Sequence, residues 1–337
     1  MQTVIVIAMT APKTFRALAT GLALAVPFAL AACSSGGTTT ATSSSTASGE
    51  CPTTPVNVVV SVDQWGQIVN ALGGACAKVT TILAGSSVDP HDFEPSPSDA
   101  ATFTGAALVV VNGGHYDDWA SKLAASSAPN APVINALEAS GIEHDEHPEG
   151  EGHDGHDHGD GVNPHAWYNP AAVTAVADAV TAKLGELAPQ AKDYFATQRS
   201  AFTTSMQPYD ALIAKIKAGA AGKTYGATES VFDYMAAAVG LQNKTPAGFQ
   251  AAASNETDPS PADLDAFLKL LNGKGVDVLI YNTQTEGSVP EQIRTAAQNA
   301  GIPVVNVTET VAPGAKSFEA WQVDQLTALA KALGVQP

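Results

Sequence analysis

Two tripeptides, Asp89-Pro90-His91 and Asn163-Pro164-His165, pose the chemical question in this chain. In each, the histidine follows a proline, which holds the local backbone in a turn or extended form from which an imidazole can project off a loop. Just ahead of the second tripeptide, residues 143–160 carry His144, His147, His153, His156 and His158 among eight acids and no Lys or Arg. Imidazoles on stiff loops, with a softer reserve of imidazoles beside them, suit the handling of a transition metal. The 143–160 stretch has glycines and acids but nothing apolar to bury. We therefore expect a disordered loop whose histidines capture metal weakly as an auxiliary to the principal site. The plain alternative is a solvated acidic insertion.

The N-terminus bears on compartment. Lys13 and Arg16 precede an apolar run, 17–32, that is too short for a comfortable membrane span and reads as the core of a signal peptide covering 1–32. The run ends Leu30-Ala31-Ala32-Cys33, which resembles the lipobox of bacterial lipoproteins and implies lipidation of Cys33. Met9 is an alternative start to Met1. Residues 33–55 then form the lipidated cysteine and a Ser/Thr/Gly tether with too little apolar surface to fold. The expected location is the extracytoplasmic face of the cell membrane, on a lipid anchor.

Composition narrows the class. The formal net charge is −17, which disfavours nucleic acid as a partner and suits solubility and cation attraction. Apolar residues make up 45% of the chain, ample for two packed domains. Of three cysteines, Cys51 and Cys76 remain after Cys33. Each precedes a strand-like segment, Val56 to Ser61 and Lys78 to Leu83. If those strands are parallel neighbours, the two thiols start side by side, and an oxidising compartment permits a disulfide.

The elements that must position the histidines read as two α/β halves. Strands are expected at 56–62, 79–83, 107–112 and 132–136, with helices at 65–72, 98–105 and 116–126 between them. Helix 170–187 follows the second Pro-His loop. A longer one runs from 190 towards 221, kinked at Pro208, with Tyr194, Phe195, Phe202, Leu212 and Ile216 as candidate buried positions. The second half repeats the alternation, with strands 224–228, 276–281 and 303–307 and helices 231–239, 290–299 and 318–333. The predicted organisation is a first lobe over 56–187, a connecting helix over 188–222 and a second lobe over 223–337. Each lobe is a parallel-type sheet flanked by helices.

The residues then suggest a family. Asp89-Pro90-His91-Asp92-Phe93-Glu94-Pro95, the strand Leu108-Val109-Val110-Val111-Asn112-Gly113, Asn163-Pro164-His165-Ala166-Trp167-Tyr168-Asn169-Pro170 and the terminal helix resemble the metal-specific solute-binding proteins of ABC importers. That family covers zinc receptors and manganese or iron receptors. The resemblance spans roughly 56–335 and implies four metal-binding positions: His91 and His165 from the first lobe, Glu229 and Glu309 from the second. The zinc branch has a histidine where Glu229 stands, whereas the His-rich loop is a mark of that same branch. The implied cargo is a divalent transition metal, zinc favoured, with manganese or iron accepted by the same donors. The implied partners are a membrane permease and its cytoplasmic ATPase, and a monomer is expected.

Other readings stand beside these. Glu229 also reads as an N-cap carboxylate and Glu309 as a solvated strand-end residue. His115, at the end of the third strand, is a surface histidine or lies behind the site. Asn282, Gln284 and Glu286 line the cleft or a lobe surface. A secreted metal-dependent hydrolase, or a metal-buffering or adhesion lipoprotein, are the rival functions. Against the hydrolase, the chain has no His-Glu-x-x-His or Gly-x-Ser-x-Gly motif and no general base beside either Pro-His histidine, so no enzyme is expected.

Overall fold

The computed structural model describes residues 49–85, 93–142, 162–255, 257–285 and 287–337. Cys33, His91, Glu286, the five histidines of 143–160 and the signal-peptide and lipobox residues lie outside them.

The first half builds β1 (Val56–Val62), α1 (Asp63–Gly73), β2 (Ala77–Leu83), α2 (Pro97–Phe103), β3 (Leu108–Val111), α3 (Asp118–Ser127), β4 (Val133–Asn135) and α4 (Ala136–Ser140). Helices α5 (Pro170–Leu187), α6 (Lys192–Ser205) and α7 (Gln207–Gly219) follow. The second half adds β5 (Thr224–Ala227), α8 (Asp233–Ala238), β6 (Gln242–Asn243), α9 (Ala247–Ser254), α10 (Pro261–Asn272), β7 (Val278–Asn282), α11 (Ser288–Ala300), β8 (Val304–Val307) and α12 (Phe318–Ala332).

Both sheets are wholly parallel and share one plan, β2-β1-β3-β4 and β6-β5-β7-β8. In each, the chain passes from its first strand to one side and then crosses back to the other. A switch point therefore lies between β1 and β3, and another between β5 and β7, with a crevice off the carboxyl ends of the strands. The central strands β1, β3 and β7 are largely apolar and buried on both faces because helices cover both. Val58, Val60 and Val62 enter the main core with Trp65 and Trp167, while Val59, Val109 and Val111 pack with Phe103 on the opposite face.

The register of β1 on β2 sets Val56 against Ala77, which brings the preceding cysteines together. Cys51 and Cys76 form a disulfide with their Cα atoms 5.0 Å apart. The long connecting helix is two segments bent at Met206, just ahead of Pro208. Proline lacks the N–H that would continue the ladder and disfavours helical backbone in the residue before it. Phe195, Phe202, Leu212 and Ile216 are buried there. Tyr194 is only partly buried and instead accepts a hydrogen bond from Ala75 N.

Candidate metal centre

The site is built where the carboxyl ends of the strands in both sheets converge. Asn163-Pro164-His165 lies ahead of α5, anchored to both halves. The Asn112 side-chain amide, one residue past β3, donates to the Pro164 carbonyl at 2.8 Å and accepts from Trp65 Nε1 at 2.9 Å. From the second half, the Tyr234 hydroxyl donates to the Asn163 carbonyl at 2.9 Å. The Asn163 side chain fixes the imidazole. Its Nδ2 donates to the Ser230 carbonyl at 2.9 Å, which turns its Oδ1 towards His165 Nδ1 at 2.7 Å. An acceptor there sets Nδ1 as the ring's N–H and turns Nε2 towards Glu309.

His165 Nε2 lies 3.7 Å from Glu309 Oε2, two residues past β8 in the other half of the molecule. His165 is 4% exposed and Glu309 2% exposed, so Glu309 is no solvated strand-end residue. Tyr116 donates to Glu309 Oε2 at 3.2 Å. Burial and the charge of Glu309 push the Tyr116 phenol well above its usual range, so it stays a donor. The other Glu309 oxygen accepts from Asn282 Nδ2 at 2.7 Å.

Glu229 follows β5 and makes no cap on α8, which lacks a side-chain cap. Its carboxylate accepts from Asn282 Nδ2 at 2.6 Å and from the Thr285 hydroxyl. Burial, and then repulsion from Glu309, push the Glu229 carboxyl above its usual range. A cation between the two carboxylates would oppose both effects. Asn282 thus bridges Glu229 and Glu309 through one amide nitrogen. Among the described residues, no group of three or more His, Cys, Asp or Glu side chains is drawn close enough to hold an ion. The Glu229 carboxylate is engaged by Asn282 and Thr285, and His91 lies outside the described set.

His165 and Glu229 line a cleft of about 640 Å³ with Thr228, Ser230, Phe249 and Asp258 on its second-half side. His115 also lines this cleft, at its rim. Its side chain is 90% exposed, with Nδ1 3.1 Å from Asp118 Oδ2. Its φ of 65° is unusual for a non-glycine residue. Gln284 does not face the cleft. Its Oε1 accepts from Glu309 N at 2.7 Å, Thr310 N at 3.0 Å and the Thr310 hydroxyl. The sequence did not mark Asp63, Gln64, Tyr116 or Thr285 as site residues, and it offered Asn163 only as part of the Asn163-Pro164-His165 motif. A polar pair directly after an apolar strand, Val62-Asp63-Gln64, is the local feature that marks the first two as buried polar residues at a strand end.

Known proteins bear on this arrangement. The family described as the zinc-uptake complex component A, periplasmic (ZnuA), matches residues 58–332. The high-affinity zinc uptake system protein ZnuA of Bacillus subtilis is 27% identical over 235 residues, covering 68% of this chain and 71% of that protein. The zinc-binding lipoprotein AdcA of Streptococcus pneumoniae is 22% identical over 76% of this chain, which spans only 50% of AdcA. The solved structure of the solute-binding protein FpvC of Pseudomonas aeruginosa with Mn2+ superposes with a TM-score of 0.65 at 21% identity, covering 83% of this chain and 98% of that one. Its likeness concerns the fold alone. Since the family match takes in both sheets and every described site residue, the chain belongs to the ZnuA family of metal-specific solute-binding proteins, which are not enzymes.

Proposed function

We propose that this protein is the extracytoplasmic receptor of an ABC importer. It captures one divalent transition metal ion between its lobes, with His91, His165, Glu229 and Glu309 as ligands, and delivers it to a membrane permease served by a cytoplasmic ATPase. The observation that carries this reading is the meeting of His165 and Glu309, from opposite lobes and both buried, at 3.7 Å. An imidazole oriented by an amide and a carboxylate fixed by a phenol and an amide form a prepared half-site. All four ligands are side chains, whereas a catalytic metal keeps a position open for water. Among the described residues no helix is long and apolar enough to cross a membrane. Attachment through lipidated Cys33 and the tether up to residue 55 is part of the proposal, as are the lobe limits at 187 and 223.

Zinc is the favoured cargo, on the strength of the His-rich stretch and the zinc-binding relatives. Manganese or ferrous iron fits the same two-nitrogen, two-oxygen set. The five histidines of 143–160 serve weak capture. Deleting 146–157 is therefore expected to remove the weak phase of a calorimetric zinc titration and to leave the tight phase unchanged. Loss of the tight phase would place the principal site in the loop.

Glu229 tests the choice of metal. Nitrogen ligands favour zinc over manganese more than carboxylates do, and the intrinsic affinity order already rises from manganese towards zinc. Glu229→Ala should weaken both metals, while Glu229→His should raise the zinc-to-manganese affinity ratio about tenfold or more. Competition titrations of both variants read this directly. An unchanged ratio in the histidine variant, with unchanged affinity in the alanine variant, would remove Glu229 from the ligand set.

A further inference from the structure

The Glu309 segment of the second lobe is fastened to the first lobe by two residues that the ligand set does not use. Asp63 and Gln64 open α1 at the carboxyl end of β1 and are both buried. Asp63 Oδ1 accepts from Val311 N of the second lobe at 3.1 Å. Its other oxygen accepts from Gly85 N at 2.8 Å, directly ahead of the segment that holds His91. Gln64 Nε2 donates to the main-chain carbonyl of Glu309 at 2.6 Å. On the N–H side of Glu309 sits Gln284 of the second lobe, at 2.7 Å. The backbone of Glu309 is thus held at both ends, one end by each lobe.

Gln64 is a poor choice for packing alone. Among the described residues its Oε1 is buried without a hydrogen-bond partner. A buried amide oxygen left unpaired is costly, and an unbranched apolar side chain of the same length would fill the space without that cost. What Gln64 contributes, and an apolar residue would not, is the Nε2 hydrogen bond to the Glu309 carbonyl and a side-chain hydrogen bond with the Tyr116 phenol, which itself donates to the Glu309 carboxylate. Buried polar groups that break the local packing rule mark sites where function is served at the expense of stability.

We propose that Asp63 and Gln64 are positioning residues. They strap residues 309–311 to the first lobe, so that Glu309 is set against His165 before an ion arrives, and the strap governs how long the ion stays. The idea rests on the reading of Glu309 as a metal ligand. A ligand already held in its bound position loses little freedom on binding, and this favours slow release over fast capture.

Gln64→Met keeps the side-chain length and removes only the amide. Zinc release, followed by capture with an excess of a coloured chelator, is expected to speed up about tenfold, with the association rate and the melting temperature of the metal-free protein nearly unchanged. Gln322→Met is the control, because Gln322 is also fully buried and its amide atoms have no partner among the described residues. It should leave release unchanged. Asp63→Asn should speed release several-fold. Since both residues act on one strap, the double variant should fall well short of the product of their separate effects. In the unaltered metal-free protein, the Val311 amide should exchange with deuterium as slowly as amides of the β7 core strand. Fast exchange at Val311, or unchanged release in both single variants, overturns the strap. If release is unchanged while Glu309→Gln abolishes tight binding, only the strap fails; if Glu309→Gln also binds zinc tightly, the metal reading itself fails.

Discussion

Replacing His165 by alanine is expected to weaken zinc binding at least a hundredfold, and with it most of the thermal protection zinc confers. Altering a group that merely orients a ligand costs about 10–100-fold in metal affinity, so deleting the ligand should cost no less. Metal that binds only the folded state stabilises it by RT ln(1 + [L]/Kd), about 4.1 kcal/mol at a free zinc concentration a thousandfold above Kd. A hundredfold weaker site at the same concentration retains about 1.4 kcal/mol. The metal-free variant must be melted alongside, because His165 is buried and its loss also breaks the bond to Asn163. His91→Ala should behave like His165→Ala. His115→Ala should change little, since that side chain stands 90% exposed at the rim and pairs with Asp118. Equal failure of the His115 variant would bring that residue into the ligand set.

The disulfide supplies the second large effect. Cys51 and Cys76 close a loop of 25 residues around β1 and α1, the elements that carry Asp63, Gln64 and Trp65. In the chain-entropy account a loop of this length stabilises the fold by about 3 kcal/mol, by restricting the unfolded chain. For a domain of this size that corresponds to a fall in Tm of roughly 6–12 °C. Cys76 is also fully buried in the main core, so an alanine there adds a packing loss. The test compares melts of the Cys51→Ala/Cys76→Ala double variant with those of the parent protein, with and without reductant. Reductant should lower the Tm of the parent and leave the variant where it is. A parent indifferent to reductant after unfolding and refolding would show that the bond contributes nothing.

The alternation of elements was legible because parallel strands covered on both faces leave continuous apolar runs, such as Leu108–Val111, bounded by glycines. The pairing of Cys51 with Cys76 was legible for the same reason, since both precede neighbouring strands. Residues 241–275 were not assigned. Strand β6 has only two residues, and α9 is a short alanine-rich helix whose pattern favours no single face. Helix α10 did carry a readable start, Ser260-Pro261-Ala262-Asp263, a capping serine with proline at the first helical position. The proposed ligands His165 and Glu309 came from loops at the ends of elements, where motif and topology agree. Of the residues that orient them, Asn282 was legible only as a polar residue after a strand, and Tyr116 and Gln64 were not legible at all. Tyr116, Asn282 and Gln64 reach their partners across 193, 27 and 245 residues of chain, contacts that no local pattern encodes.

The central claim is that a single tight site lies between the lobes and uses side chains from both. The most direct measurement is a chelator-competition titration of zinc into protein lacking residues 146–157, purified without an affinity tag, beside the same protein carrying Glu309→Gln. The account predicts one tightly bound zinc per chain in the first and none of comparable affinity in the second. Tight binding of one zinc that survives Glu309→Gln would contradict it.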